Sequence, residues 1–263
     1  MALVFFLMPW HLLIMQTNSD FSMPQTEASV ILKAKNLQVR AGFRASTPET
    51  LAGGPIEIEF FVESLSGEPL YLAVGGDRAR LRPAFFSFTA ELEGAEIELD
   101  DPAAKIPERG GPATVIQVKT GAPNRYAILV NEFVRLEKVS AALKPGEVRE
   151  LRIRCQRPLP LALSNEQAFQ FSRDTSRVDV TLVIHVRRDD AALETLIARL
   201  AAEVRGDQIG AVEREQAIKT LVALRHPVAL PYLQMFRDHP DPAVRMYVQW
   251  ALMQKDKDDE GRH

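Results

Sequence analysis

The sequence predicts an antiparallel β-sandwich followed by two antiparallel helical hairpins. Three observations carry that expectation. Between Val30 and Arg188 apolar residues recur with a period of two, and Pro and Gly punctuate the runs every eight to fifteen residues. After Arg188 the period changes to about 3.6. Finally, Arg214-Glu215-Gln216-Ala217 and Arg245-Met246-Tyr247-Val248 stand 31 residues apart within matching patterns of apolar spacing.

Composition limits what such a chain does. With 263 residues, 46% hydrophobic and 25% charged, it is long enough for two modest domains with their own cores. A formal charge of -3 gives no long-range pull toward polyanions, so nucleic acid is excluded as the expected partner. Eight acids face seven bases between Asp190 and Gln254, which leaves no cationic stripe for a phosphate backbone.

Residues 1–28 read as a signal peptide or N-terminal anchor with a linker. The first nineteen carry no Asp, Glu, Lys or Arg, and Ala2 to Met15 is almost continuously apolar. That length suits an export signal better than a bilayer span. Export is the expected localisation, with membrane anchoring through residues 1–15 or a cytoplasmic protein as alternatives. A polar segment from Gln16 to Ser29 then leads to the first strand.

Residues 29–188 are the sandwich. Val178 to Arg187 is its clearest strand, with Asp179, Thr181, His185 and Arg187 on the wet side. Similar runs are Ile56 to Glu63, Leu70 to Val74, Phe86 to Leu92, Glu96 to Leu99, Thr114 to Lys119, Tyr126 to Lys138 and Glu147 to Gln156. About eight such strands need two packed sheets. Cys155 lies on the same parity as Leu151 and Ile153, which makes it a small buried hydrophobe.

Residues 189–255 are helical. Asp189-Asp190 supplies an N-cap and a negative first turn, while Leu193, Leu196, Ile197 and Leu200 form one apolar stripe, closed by Gly206. A second helix carries Val212, Ala217, Ile218, Leu221 and Leu224; a third spans Val228 to Arg237, and a fourth runs from Pro242 to Gln254, capped by Asp241. Residues 256–263 read as a disordered polar tail. Two hairpins are too few to stand alone, so an apolar face is expected to dock on the sandwich or on another molecule.

Two segments carry resemblances. Ala229-Leu230-Pro231-Tyr232-Leu233 to Asp238, with Asp241-Pro242-Ala243-Val244-Arg245 and Ala251-Leu252, resembles the short HEAT repeat of the phycobilisome-lyase type. That resemblance implies an all-α HEAT-like domain, protein binding, and an Arg245 that reaches an acidic side chain of a neighbouring repeat. Ser64-Leu65-Ser66-Gly67-Glu68-Pro69-Leu70-Tyr71 and Leu143-Lys144-Pro145-Gly146-Glu147 resemble the immunoglobulin-like sandwiches of bacterial exported proteins.

Catalysis needs converging groups, and no H-E-x-x-H, G-x-S-x-G, phosphate loop or dinucleotide fingerprint occurs. No catalytic residue, cofactor or metal ligand is expected. Glu96, Glu98, Asp100 and Asp101 carry the oxygens that calcium uses, but Glu96 and Glu98 alternate with Ile97 and Leu99 as an exposed strand face does. The expected function is therefore a non-catalytic protein-interaction or scaffold role. A peptidase-inhibitor-like or carbohydrate-binding sandwich, or an accessory subunit of an enzyme complex, are the alternatives. Candidate partner-binding residues are Arg245, Met246 and Tyr247 on the last helix, and Arg78, Arg80 and Arg82, which put three guanidinium groups on one face of an extended segment suited to an acidic peptide.

Overall fold

The computed structural model describes residues 24–34, 37–68, 70–95, 97–107, 110–169, 175–206 and 208–260. Residues 1–15, on which the export expectation rests, lie outside them, as do Glu96 and the last three residues. No helix among the described residues is long and apolar enough to cross a membrane.

Eleven strands among the described residues form three sheets. The first sheet, in order β1-β2-β4-β9, is antiparallel and joins Glu27–Ala34, Leu37–Ala45, Glu57–Ser64 and Asn124–Leu129. A second, ordered β3-β11-β10-β7, joins Glu49–Leu51, Arg177–Arg187, Val148–Pro158 and Ser87–Leu92; its β3–β11 pair is parallel. The third, β6-β5-β8, joins Arg82–Pro83, Leu70–Asp77 and Gly110–Val118. The first two sheets face each other across the main core. Their inner faces carry the alternating apolar residues that period two implies: Val39, Ala41 and Phe43 on β2, Ile58, Phe60 and Val62 on β4, and Leu151, Ile153 and Cys155 on β10 are all buried. Aromatic rings bridge the layers, with Phe43 of β2 5.9 Å from Phe88 of β7 at 79°, and Phe88 4.9 Å from Phe133.

Between β9 and β10 the chain leaves the sheet. A 3-10 turn at Val130–Glu132 and the short helix α1, Glu137–Ala142, occupy what the apolar run from Tyr126 to Lys138 presents as continuous strand. The physical reason is Asn131. Its side chain accepts from Ile56 N at 2.9 Å and donates to Gly54 O at 3.0 Å, so a buried amide takes over the backbone pairing that a strand would make. The expected strand at Glu96 to Leu99 is also absent from the described part, Ile97 to Leu99.

After β11, Asp189 caps α2 (Asp190–Arg205) by accepting from Ala192 N at 3.0 Å. Helices α3 (Ala211–Leu224), α4 (Leu230–Met235) and α5 (Pro242–Glu260) follow. The third helix is shorter than its pattern suggests: Pro227 and Pro231 leave a 3-10 turn at Pro227–Ala229 and six helical residues. α5 runs to Glu260, through much of the segment read as a disordered tail.

These observations overturn the fold class expected from sequence, an antiparallel two-sheet sandwich followed by a separate all-α HEAT-like domain. The protein is a sheet-rich mixed fold with three sheets, one of them containing a parallel pair, and its five α-helices are interleaved with strands at α1. The last four helices share their apolar cluster with Leu51 and Leu81 from the sheet-bearing part. Arg225 Nη1 donates to Asn131 O at 2.7 Å, Lys219 Nζ stands 3.1 Å from Glu132 Oε1, and Trp250 Nε1 donates to Ala79 O at 3.1 Å. Two hairpins cannot hide Trp250 and the α3 face by themselves, so the sheets cover them.

Candidate functional site

The seam between the helices and the third sheet holds the candidate site. A cleft of about 480 Å3 opens there between β5, β6, β9 and the faces of α3 and α5. Val74, Leu81, Pro83, Phe86 and Tyr126 supply apolar walls, and the cations Arg78, Arg82, Arg157 and Lys219 project onto it with Asp77 and Tyr247. A mostly apolar pocket with a few charged groups is the usual form of a binding site.

Local backbone builds this shape. Leu81 and Phe85, on either side of β6, have φ of +50° and +68°, and Arg225 at the end of α3 has φ of +50°. Among the described residues these are the only non-glycine positions with positive φ, and all three border the seam. Such conformations cost about 1–2 kcal/mol each and persist where surrounding contacts impose them.

Most of the cations are already matched. Arg82 is buried and grips Asp101 through Nη1 to Oδ1 at 2.7 Å and Nη2 to Oδ2 at 2.8 Å, while Nη1 also donates to Glu132 O. Its guanidinium lies 4.4 Å from the Phe133 ring centre. Arg80 donates to Ile106 O from Nε and Nη2 and approaches Asp77 at 3.6 Å. Lys219 faces Glu132, whose carboxyl burial holds above the usual carboxylate range, opposed by the nearby cations. Arg78 is exposed and has no ion-pair partner among the described residues.

Arg157 is different. It is 2% exposed, on the inward parity of β10 after Leu151, Ile153 and Cys155. Its guanidinium packs 4.3 Å from the Phe86 ring centre and 5.0 Å from that of Phe60, and Nη2 donates to Ala73 O at 2.7 Å. Nε is buried with no hydrogen-bond acceptor among the described residues. Burial pulls this arginine down to about 10, and the group that opposes the shift is the Tyr126 phenol, not a carboxylate. A buried cation without a counter-anion is costly unless rings or an outside anion compensate it.

The sequence candidates thus divide. Arg78, Arg82 and Tyr247 meet at the cleft although they come from opposite ends of the chain; Arg80 lines a small adjoining recess with Arg225 and Trp250. Arg245 and Met246 do not reach it. Met246 is 45% exposed, and Arg245 turns back on its own loop, donating to His239 O at 2.6 Å and Pro240 O at 2.8 Å instead of reaching an acidic side chain. Arg80 and Arg82 depart from the expected row of solvated guanidiniums because β6 bends between two left-handed residues and folds Arg82 inward. Arg157, Lys219 and Tyr126 were not singled out from sequence, although for Arg157 the signal existed: extending the Leu151, Ile153, Cys155 parity by two residues reaches it.

Of the acids considered as calcium ligands, Asp101 is chelated by Arg82 and Asp100 pairs with Lys138 at 2.6 Å and Arg135 at 3.4 Å. No group of three or more metal-ligating side chains gathers among the described residues. A second depression, of about 360 Å3, lies by Ser46, Thr47, Glu49 and Arg187, where Glu49 and Arg187 already pair at 3.0 Å.

No family model and no curated protein matches the sequence. Among solved structures the chain is similar to one in the complex of zinc 2-glycoprotein with prolactin-inducible protein from human seminal plasma, at 6% identity and a TM-score of 0.25, over 64% of this chain and 98% of that one. A likeness of that size carries no argument about fold or use.

Proposed function

We propose that this protein is a non-catalytic binding module that engages a protein partner through the cleft at the sheet–helix seam. The carrying observation is the meeting of Arg78, Arg82 and Tyr247 on one concave, largely apolar surface. Aromatic residues and arginine are the side chains that most often anchor protein interfaces. The exposed Arg78 at the mouth favours a partner segment with acidic and apolar residues, since it has no ion-pair partner among the described residues. Among the described residues, His226 and His239 use Nδ1 to accept from Val228 N and Asp241 N, and Cys155 is sealed in the core, so these three side chains support a binding role over a nucleophilic one.

A peptide array probed with the full chain tests this reading. Peptides combining acidic and apolar residues should be retained, and Arg78→Glu should weaken them at least tenfold while leaving thermal unfolding unchanged. Retention indifferent to Arg78→Glu, or turnover in a broad hydrolase and transferase substrate panel, would overturn it.

A further inference from the structure

We propose that the cleft is a carboxylate receptor, in which Arg157 receives the carboxylate of an apolar residue at the end of the partner's peptide chain; this rests on the peptide-binding reading above. Four observations converge on it. First, Arg157 is a fully buried cation on the cleft, and its Nε meets no acceptor among the described residues. Second, the charges around it are spoken for. Arg82 is closed by Asp101, Lys219 by Glu132, and Asp77 lies against Arg80, which leaves Arg157 and the exposed Arg78. Third, the Phe86 and Phe60 rings hold the guanidinium plane, so the side chain is immobilised before any ligand arrives and little freedom is lost on binding. Fourth, Leu81, held in the left-handed conformation, lines the cleft, and Phe85, also left-handed, sets its ring centre 5.8 Å from the guanidinium carbon.

The chemistry favours a monovalent anion on an apolar body. One unmatched buried positive charge is compensated by one carboxylate, whereas a phosphate dianion would bring a second negative charge that the buried part of the site does not match, Arg78 standing outside it at the mouth. A volume of about 480 Å3 lined by Val74, Leu81, Pro83 and Tyr126 is far larger than a bare anion needs and suits an aromatic or branched side chain carried beside the carboxylate. Guanidinium–carboxylate pairing is geometrically specific, and in a dry site it discriminates strongly against a neutral analogue.

The test titrates the full chain with N-acetyl-phenylalanine, its C-terminal amide, 3-phenylpropionate and inorganic phosphate. The titration follows the Arg157 Nε–Hε correlation by 15N NMR, with calorimetry alongside. The acid should move that correlation and bind at least tenfold more tightly than the amide; 3-phenylpropionate separates a free small acid from a chain end by lacking the acetamide. Arg157→Gln should abolish the discrimination between acid and amide. If that variant does not fold, the Nε–Hε shift in the wild-type chain still decides the matter, and Arg78→Gln should cost only a few-fold because Arg78 stands at the mouth. An unmoved Nε–Hε signal, equal affinity for acid and amide, or phosphate as the preferred anion would each overturn the proposal. Array peptides still captured through Arg78 with Arg157 silent would sink this inference and spare the broader reading; loss of both would sink the two together.

Discussion

Arg225 and Asn131 are bound across 94 residues by a 2.7 Å hydrogen bond from the guanidinium Nη1 to the backbone carbonyl. Asn131 meanwhile uses its side chain to hold Ile56 N and Gly54 O, so a single buried turn fastens the helices to the first sheet. Arg225 in turn lies near the buried Glu132 and the half-buried Glu137, both held above the usual carboxylate range by desolvation despite that proximity. Helices and sheets should therefore melt as one unit. Wild-type protein is expected to show a single denaturant transition with coincident far- and near-ultraviolet dichroism. Arg225→Met, which removes the donor to Asn131 O and a cation near two carboxylates, should lose about 2 kcal/mol, and Asn131→Ala about 2 kcal/mol through its orphaned partners. Two separate wild-type transitions would contradict this.

The same carboxylates set a pH response. Because burial raises Glu132 and Glu137 in the folded state, the native protein keeps those protons to a higher pH than the unfolded chain does. Their contribution to stability is full below the ordinary glutamate range and declines as pH rises from that range through the raised folded values. Urea midpoints at closely spaced pH should show this as a difference: Glu132→Gln should lose less stability than wild type over that rise. A parallel pH course for the two proteins would refute it.

Asp179 works in the opposite sense. Hydrogen bonds from Arg154 at 2.8 and 2.7 Å and from Gln156 at 2.8 Å bring its carboxyl down to about 2. Stabilisation from this depressed group is present above the unfolded aspartate value near 4 and vanishes as pH falls through about 2. Since the pair lies at the surface, Asp179→Asn should cost only about 0.5–1 kcal/mol at pH 7, and markedly less at pH 2. Equal effects at both values would show that the hydrogen bonds do not depend on the charge.

Cys155 has no exposed surface and its thiol is pushed up by burial, well beyond its ordinary range. Only a thiolate reacts readily. A disulfide reagent at pH 8 should therefore leave native protein unmodified over the time in which unfolded protein is labelled completely, and rapid native labelling would disprove the packing of β10.

A last prediction concerns β1 against β2. A Cβ on Gly42 would sit 2.3 Å from Ala28 O and 2.7 Å from Ser29 Cα, inside the facing backbone. Gly42→Ala should cost upwards of about 2 kcal/mol, as overpacking of a tight contact does, whereas Gly67→Ala, with nothing nearby, should be close to neutral. Similar thermal midpoints for the two variants would show that β1 yields freely.

Period two was legible as sheet, and Asp189 as the cap of α2, because each depends on neighbours along the chain. What escaped depends on distant partners. Nothing in the run Tyr126 to Lys138 reveals that Asn131 will turn inward to Gly54 and Ile56, nor that Leu51 and Leu81 will complete a helical core. The recurrence at Arg214 and Arg245 was visible but carried another meaning. Arg214 donates from Nη2 to Gly206 O and Ile209 O, as Arg245 does to His239 O and Pro240 O. At the same depth in α3 and α5, each arginine braces the loop that leads into its own helix. The cleft was half legible: Arg78, Arg82 and Tyr247 could be named, while Arg157 hid inside an otherwise apolar alternation.

The parallel pairing of β3 with β11 sets a timetable for synthesis. Glu49 faces His185 in that ladder, and β11 also supplies the whole inner edge against β10. On the ribosome, β3 and β10 emerge early and wait without the strand that belongs between them. A nascent chain stalled before Arg177 carries an open β10 edge, and this is the stage at which a chaperone, or a misplaced copy of the same strand, would find its opening.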